Sequence, residues 1–161
     1  MRHILSVTVT NQPGVLNRIT GLFSRRNYNI DSLNVGETED PDYSRMTIVV
    51  KGNERTLEQV KKQLHKLIDV IKITELDQSN IVDRDLALIR VNSDREHRSE
   101  IIQIVDTFKA KIVDLSTDSI MIEVTGNENK IEALIEILSD FGIKDIVRTG
   151  IIALSRGQLL D

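Results

Sequence analysis

The chain has 161 residues, 40% of them hydrophobic and 29% charged, the balance of a folded globular protein and not of a disordered one. It contains no cysteine, which excludes disulfides, thiolate nucleophiles and cysteine-ligated metals and fits a reducing compartment. The net charge of −4 is divided unevenly, +2 up to Leu76 and −6 from Asp77 onward; an acidic second half argues against a nucleic-acid surface, and the asymmetry points to two units.

Aromatic residues make up 3% and tryptophan is absent, so the core is expected to be aliphatic. No apolar run approaches the roughly 20 residues of a membrane span. The start, Met1-Arg2-His3-Ile4-Leu5-Ser6, turns polar too early for a secretory signal. A cytoplasmic protein with no membrane contact is expected.

In chain order, Leu5, Val7 and Val9 alternate with Ser6, Thr8 and Thr10, a strand pattern that Asn11-Gln12-Pro13-Gly14 breaks. Pro13 suits a position at or near the start of a helix, where a missing N–H costs nothing. Val15, Leu16, Ile19, Leu22 and Phe23 follow at helical spacing as far as Arg25-Arg26-Asn27. Residues 30–38 and 45–51 read as strands around the polar Glu39-Asp40-Pro41-Asp42 connection. Residues 54–67 read as an amphipathic helix with Leu57, Val60, Leu64, Leu67 and Ile68 on one stripe, and 70–76 as a fourth strand.

After Asp77-Gln78-Ser79-Asn80 the order repeats: strand 85–91, helix 96–108, strands 112–115 and 119–124, helix 128–138, and a last strand 146–154. Gly142 is a natural left-handed helix stop. The reading is α+β, with two ferredoxin-like βαββαβ domains at residues 1–76 and 81–161. Units of about 75–85 residues have thin cores, so self-association is expected.

No catalytic constellation stands out. His3, His65 and His97 are far apart and form no metal-ligand spacing, and solvated or interface positions suit them better. The glycines form neither GxGxxG nor a Walker loop, and no GxSxG elbow is present.

The informative segment is Thr10-Asn11-Gln12-Pro13-Gly14-Val15-Leu16. A strand that runs into Pro-Gly and a helix start offers unpaired N–H groups and the positive end of a helix dipole to a carboxylate. Gly14, lacking a Cβ, lets a ligand lie against the backbone, and Asn11 carries both a donor and an acceptor. The same residues also read as a plain turn in which Asn11 caps the helix. Asn29, at the entry of the second strand beside Ile30, is open to both readings.

The runs Arg18-Ile19-Thr20-Gly21-Leu22-Phe23-Ser24-Arg25-Arg26-Asn27-Tyr28-Asn29-Ile30-Asp31-Ser32-Leu33, Asp42-Tyr43-Ser44-Arg45-Met46-Thr47-Ile48, Gln63-Leu64-His65-Lys66-Leu67-Ile68-Asp69-Val70 and Gly150-Ile151-Ile152-Ala153-Leu154-Ser155-Arg156-Gly157 resemble the acetolactate synthase small regulatory subunits. The N-terminal half is similar to their ACT domain, an amino-acid-sensing module. The resemblance implies a non-catalytic regulator that activates a catalytic large subunit and confers feedback inhibition by valine in branched-chain amino acid biosynthesis. It implies dimerisation through ACT domains, with valine between them. Asn11 and Gly14 of one chain and Asn29 of the other carry over as effector positions, with Val15, Leu16 and Ile30 as an aliphatic pocket. No cofactor is expected on this chain; thiamine diphosphate, Mg and FAD belong to the catalytic partner. A free-standing ACT sensor for a different partner is the alternative.

Overall fold

The structure, a computed structural model, describes residues 1–157. Its elements are β1 (Arg2–Thr10), α1 (Val15–Arg25), β2 (Ile30–Glu37), β3 (Tyr43–Lys51), α2 (Glu54–His65), β4 (Val70–Glu75), a 3-10 turn (Gln78–Asn80), β5 (Ile81–Asn92), α3 (Arg98–Thr107), β6 (Lys111–Leu115), β7 (Ser119–Gly126), α4 (Glu128–Ser139), β8 (Ile143–Arg148) and β9 (Ile152–Ser155). Two compact units result, Met1–Val82 with the segment from Ile152, and Asp83–Ile151. Residues 158–161, included in the expected second domain, lie outside the described residues.

In the first unit four antiparallel strands run in the order β2-β3-β1-β4. The register pairs Leu5 with Ile48 and Val7 with Met46, so the alternating apolar residues share one face. That face packs on Val15, Ile19, Leu22 and Phe23 of α1 and Leu57, Val60 and Leu64 of α2. Asn53 starts α2 by accepting from the Thr56 amide. The helix ends at His65, two residues before the 54–67 reading, because Leu67 and Val70 form successive turns that feed β4. Ile68, placed by its spacing on the buried stripe, is therefore 95% exposed. His3 is not solvated: it is 6% exposed, with Nε2 at 3.2 Å from the Gly52 carbonyl and Nδ1 at 3.4 Å from Glu75.

The second unit repeats the order as β6-β7-β5-β8. Its buried core is wholly aliphatic, Ala87, Ile89, Val91, Ile120, Ile122 and Val124 against Ile101, Val105, Ile131, Leu134 and Leu138. Asn127 caps α4 as Asn53 caps α2, accepting from the Lys130 amide. The last strand, expected over 146–154, is two strands. Asp85, its side chain 1% exposed, causes the break. A buried carboxylate must be satisfied. One oxygen accepts from Arg148 Nε at 2.9 Å and Nη2 at 2.6 Å. The other accepts from Thr149 Oγ1 and the Gly150 amide, both at 3.1 Å. Wrapping these donors around one carboxylate bends the chain, and Gly150 takes the bend at φ 81°.

Candidate functional site

The loop between β1 and α1 is held by backbone before any side chain acts. The Thr10 amide donates to the Asp69 carbonyl at 2.9 Å and the Asn11 amide to the Asp42 carbonyl at 2.8 Å. Gly14 then adopts φ 86°, ψ −9° and opens α1. Such a left-handed residue costs a Cβ-bearing side chain roughly 1–2 kcal/mol. The helix therefore starts at Val15, with Pro13 in the turn that leads into it.

No side chain caps α1, and its first turn holds no acidic residue. Asn11 does not serve as the cap; its Nδ2 donates to the Pro41 carbonyl at 2.9 Å and to Glu37 Oε1 at 3.3 Å. The positive end of the α1 dipole is thus not neutralised by a capping side chain or by an acidic residue of its own first turn. Beside it, Arg18 Nε donates to Asp69 Oδ2 at 2.7 Å, and Thr10 Oγ1 donates to Asp69 Oδ1 at 3.1 Å. The Arg18 guanidinium, with help from Thr10, holds the Asp69 carboxyl below the usual carboxylate range. Arg18 and Asp69 escaped the sequence reading, although Arg18 follows Gly14 by four residues, one helical turn, a spacing that could have drawn notice. Asp69 had no local signal.

The corner presents a helix N-terminus and a guanidinium near Gly14, and the Glu37 carboxylate with the Pro41 carbonyl at Asn11.

The remaining expected site residues divide. Leu16 is 42% exposed beside this loop. Val15 is 3% exposed and packed in the core, so its side chain is not offered to a ligand, contrary to the pocket reading. The helical period that puts Ile19 and Leu22 under the sheet puts Val15 there too. Asn29 is exposed, with Nδ2 donating to Asp31 Oδ1 at 3.0 Å, and Ile30 is half-buried against the core.

Asn11 touches Glu37, the last residue of β2, whereas Asn29 and Ile30 stand at its first. At about 3.3 Å per residue the two groups are roughly 23 Å apart. One chain does not bring them together.

In the second unit the equivalent corner lines a cleft of about 490 Å³ with Asn92, Asp94, Arg95, His97, Asp118 and Asp140 among its walls. The Asp94 carboxylate accepts from the His97 amide at 2.8 Å and lies 2.8 Å from its Nδ1. These contacts lower the Asp94 pKa and, through Asp94, raise that of His97. Among the described residues no group of three or more His, Asp or Glu could hold a metal. No described helix is long and apolar enough to cross a membrane.

Comparison with known proteins gives matches over both units. Residues 5–72 match the family model described as an acetohydroxyacid synthase small subunit-like ACT domain, and residues 84–157 that of the small subunit of acetolactate synthase. The chain is 52% identical over 158 residues to a probable acetolactate synthase small subunit of Archaeoglobus fulgidus, covering 98% of this chain and 99% of that one. It is 53% identical over 158 residues to the acetolactate synthase small subunit of Bacillus subtilis, covering 98% and 92%. The crystal structure of the Thermotoga maritima acetolactate synthase small subunit superposes with a TM-score of 0.91 at 43% identity, covering 99% of each chain.

Proposed function

The chain belongs to the acetolactate synthase small-subunit family and is a non-catalytic regulatory subunit; from that premise we propose that it binds the thiamine-diphosphate-dependent large subunit, raises its activity and makes it answer to valine. Thiamine diphosphate, Mg and FAD stay with the large subunit in this reading.

The observation that carries the effector site is the separation of its residues along β2. Asn11 touches one end of that strand, with Gly14 three residues further along the same loop, and Asn29 and Ile30 stand at the other end. β2 is an edge of the first sheet. Two chains related by a two-fold axis, with their β2 edges antiparallel, put Asn29 of one beside Asn11 and Gly14 of the other. Each chain then contributes two half-sites, and a pair of chains completes two sites. Leu16 and Ile30 supply apolar surface for a small branched side chain. The N–H groups at the start of α1 receive the carboxylate, and Glu37 with the Asn11 amide faces the ammonium.

A ligand held across such a seam can bias the arrangement that the large subunit feels. It shifts that equilibrium only by its different affinity for the two states, typically on the order of 1–3 kcal/mol.

Valine, leucine, isoleucine and glycine are titrated calorimetrically into the full chain and into its complex with the large subunit. Valine binding is expected, and Asn29→His or Gly14→Asp should each abolish it while leaving an active complex. Full valine inhibition of a Gly14→Asp complex would move the site elsewhere. Mixing the two variants supplies the sharper test: each mixed pair has one site with an intact Gly14 and an intact Asn29. Valine binding should return in the mixture. If it does not, the two residues do not meet across chains.

A further inference from the structure

A Cβ built on Gly14 would stand 3.0 Å from Arg18 Nη1. The guanidinium thus lies against the left-handed residue that opens α1, at the place where a ligand carboxylate must arrive in the effector reading. It does not hang there by chance. Its Nε is fixed at 2.7 Å on Asp69 Oδ2, and the Asp69 side chain is only 15% exposed. Asp69 is itself fastened twice to the end of β1, by the Thr10 hydroxyl on Oδ1 and the Thr10 amide on its carbonyl. An arginine carries five donors in a planar fork, and one edge of this fork, Nε, is committed to Asp69. The Nη1 end is the part directed over Gly14. Arg18 is half-exposed, so its outer face is open to a solute.

Resting on the reading of this corner as the effector site, we propose that Arg18 binds the effector's α-carboxylate, and that Asp69 and Thr10 are positioning residues that hold its guanidinium over Gly14. The carboxylate then meets a full cation together with the α1 N–H groups, a charge-assisted contact that backbone alone does not provide. The same geometry gives Gly14→Asp a second effect. Its new carboxylate would pair with Arg18 and so satisfy the cation internally, besides occupying the ligand's place.

The test compares valine with valinamide, which keeps the ammonium and side chain but lacks the negative charge. Both are titrated into the full chain, alone and in complex with the large subunit, for the unaltered protein, Arg18→Gln, Arg18→Lys and Asp69→Asn. The unaltered chain should prefer valine. In Arg18→Gln the valine dissociation constant should rise about tenfold to a hundredfold, with valinamide changed less than about twofold. Arg18→Lys should keep part of the preference, since the charge stays while the fork is lost. Asp69→Asn should weaken valine less than Arg18→Gln does. Equal weakening of both ligands in Arg18→Gln would make Arg18 a structural clip and overturn the inference, as would unchanged valine affinity. Should Arg18→Gln fail to fold, the valine preference of Arg18→Lys decides: a preference partly lost supports the contact, and one equal to the unaltered chain's overturns the guanidinium's part in it. If the unaltered chain binds no amino acid in either form, the effector reading itself fails and this inference falls with it.

Discussion

In the first unit the amides at the end of β1 donate to Asp69 and Asp42; in the second, those of Asn92 and Ser93 at the end of β5 donate to Gly142 and Asp118. The same two connections, the hairpin turn and the helix-to-strand turn, are stitched to the same strand end in both. The charges then diverge. The first corner has a left-handed glycine, an uncapped α1 and a guanidinium at its helix start. The second has His97 at the helix start, three aspartates and Arg95 in its walls, and Arg98 turned back onto the carbonyls of Ser116 and Thr117. Topology supplies a corner, and a few side chains decide whether an anion is welcome there.

The largest expected difference lies in the cores. Phe23 is 1% exposed in the first unit, whereas Phe108 only packs partly buried on the second core. Phe23→Ala should cost about 4 kcal/mol in urea unfolding and Phe108→Ala about 2 kcal/mol. Equal losses would show the second core to be as dependent on its aromatic ring. Next comes the pair of clasping carboxylates. Asp85 is the more deeply buried, and Asp85→Ala should cost about 3 kcal/mol, with amide protection lost along β5 and β8 but kept in β1 and β3. Loss of protection in both units would mean that they do not unfold separately.

Gly14→Ala should cost about 1 kcal/mol, the price of a left-handed alanine, because the end of the Arg18 side chain need give only slightly to admit the methyl group. A cost near zero, measured by thermal unfolding, would place Gly14 outside the left-handed region. The smallest effect belongs to Asp94 and His97. Asp94 has a lowered pKa, so its contribution is lost as pH falls through that value. His97 has a raised pKa, so its contribution is complete below the ordinary histidine range and is lost as pH rises through the raised one. The start of α3 should be best protected between the two, weakly and salt-sensitively, since both side chains are largely exposed. A flat protection factor for the Ile101 amide across that window would mean that the pair does not stabilise the start of α3.

Much of the fold was legible along the chain. Period-two and helical apolar spacing exposed both βαββαβ runs, since burial on one face repeats every second residue in a strand and about every fourth in a helix. The Asn11-to-Gly14 loop stood out because Pro-Gly between a strand and a helix leaves few conformations. Ile68 went astray because its spacing suits a helix that had already ended. The 146–154 strand went astray because the carboxylate that bends it sits some 60 residues earlier, at Asp85.

What the sequence by itself determined, then, was local: which residues alternate, which runs are helical, and where a strand gives way to Pro-Gly and a helix. Only the tertiary structure decided that Val15 belongs to the core, that Asn11 serves Pro41 and Glu37 instead of the helix, and that Asn29 stands a strand's length away. It alone set Asp69 under Arg18, joining residues 51 positions apart. Periodicity is a property of neighbours and is written in the order of residues. Pairing between distant polar groups depends on how the sheet closes, and no spacing along the chain encodes it.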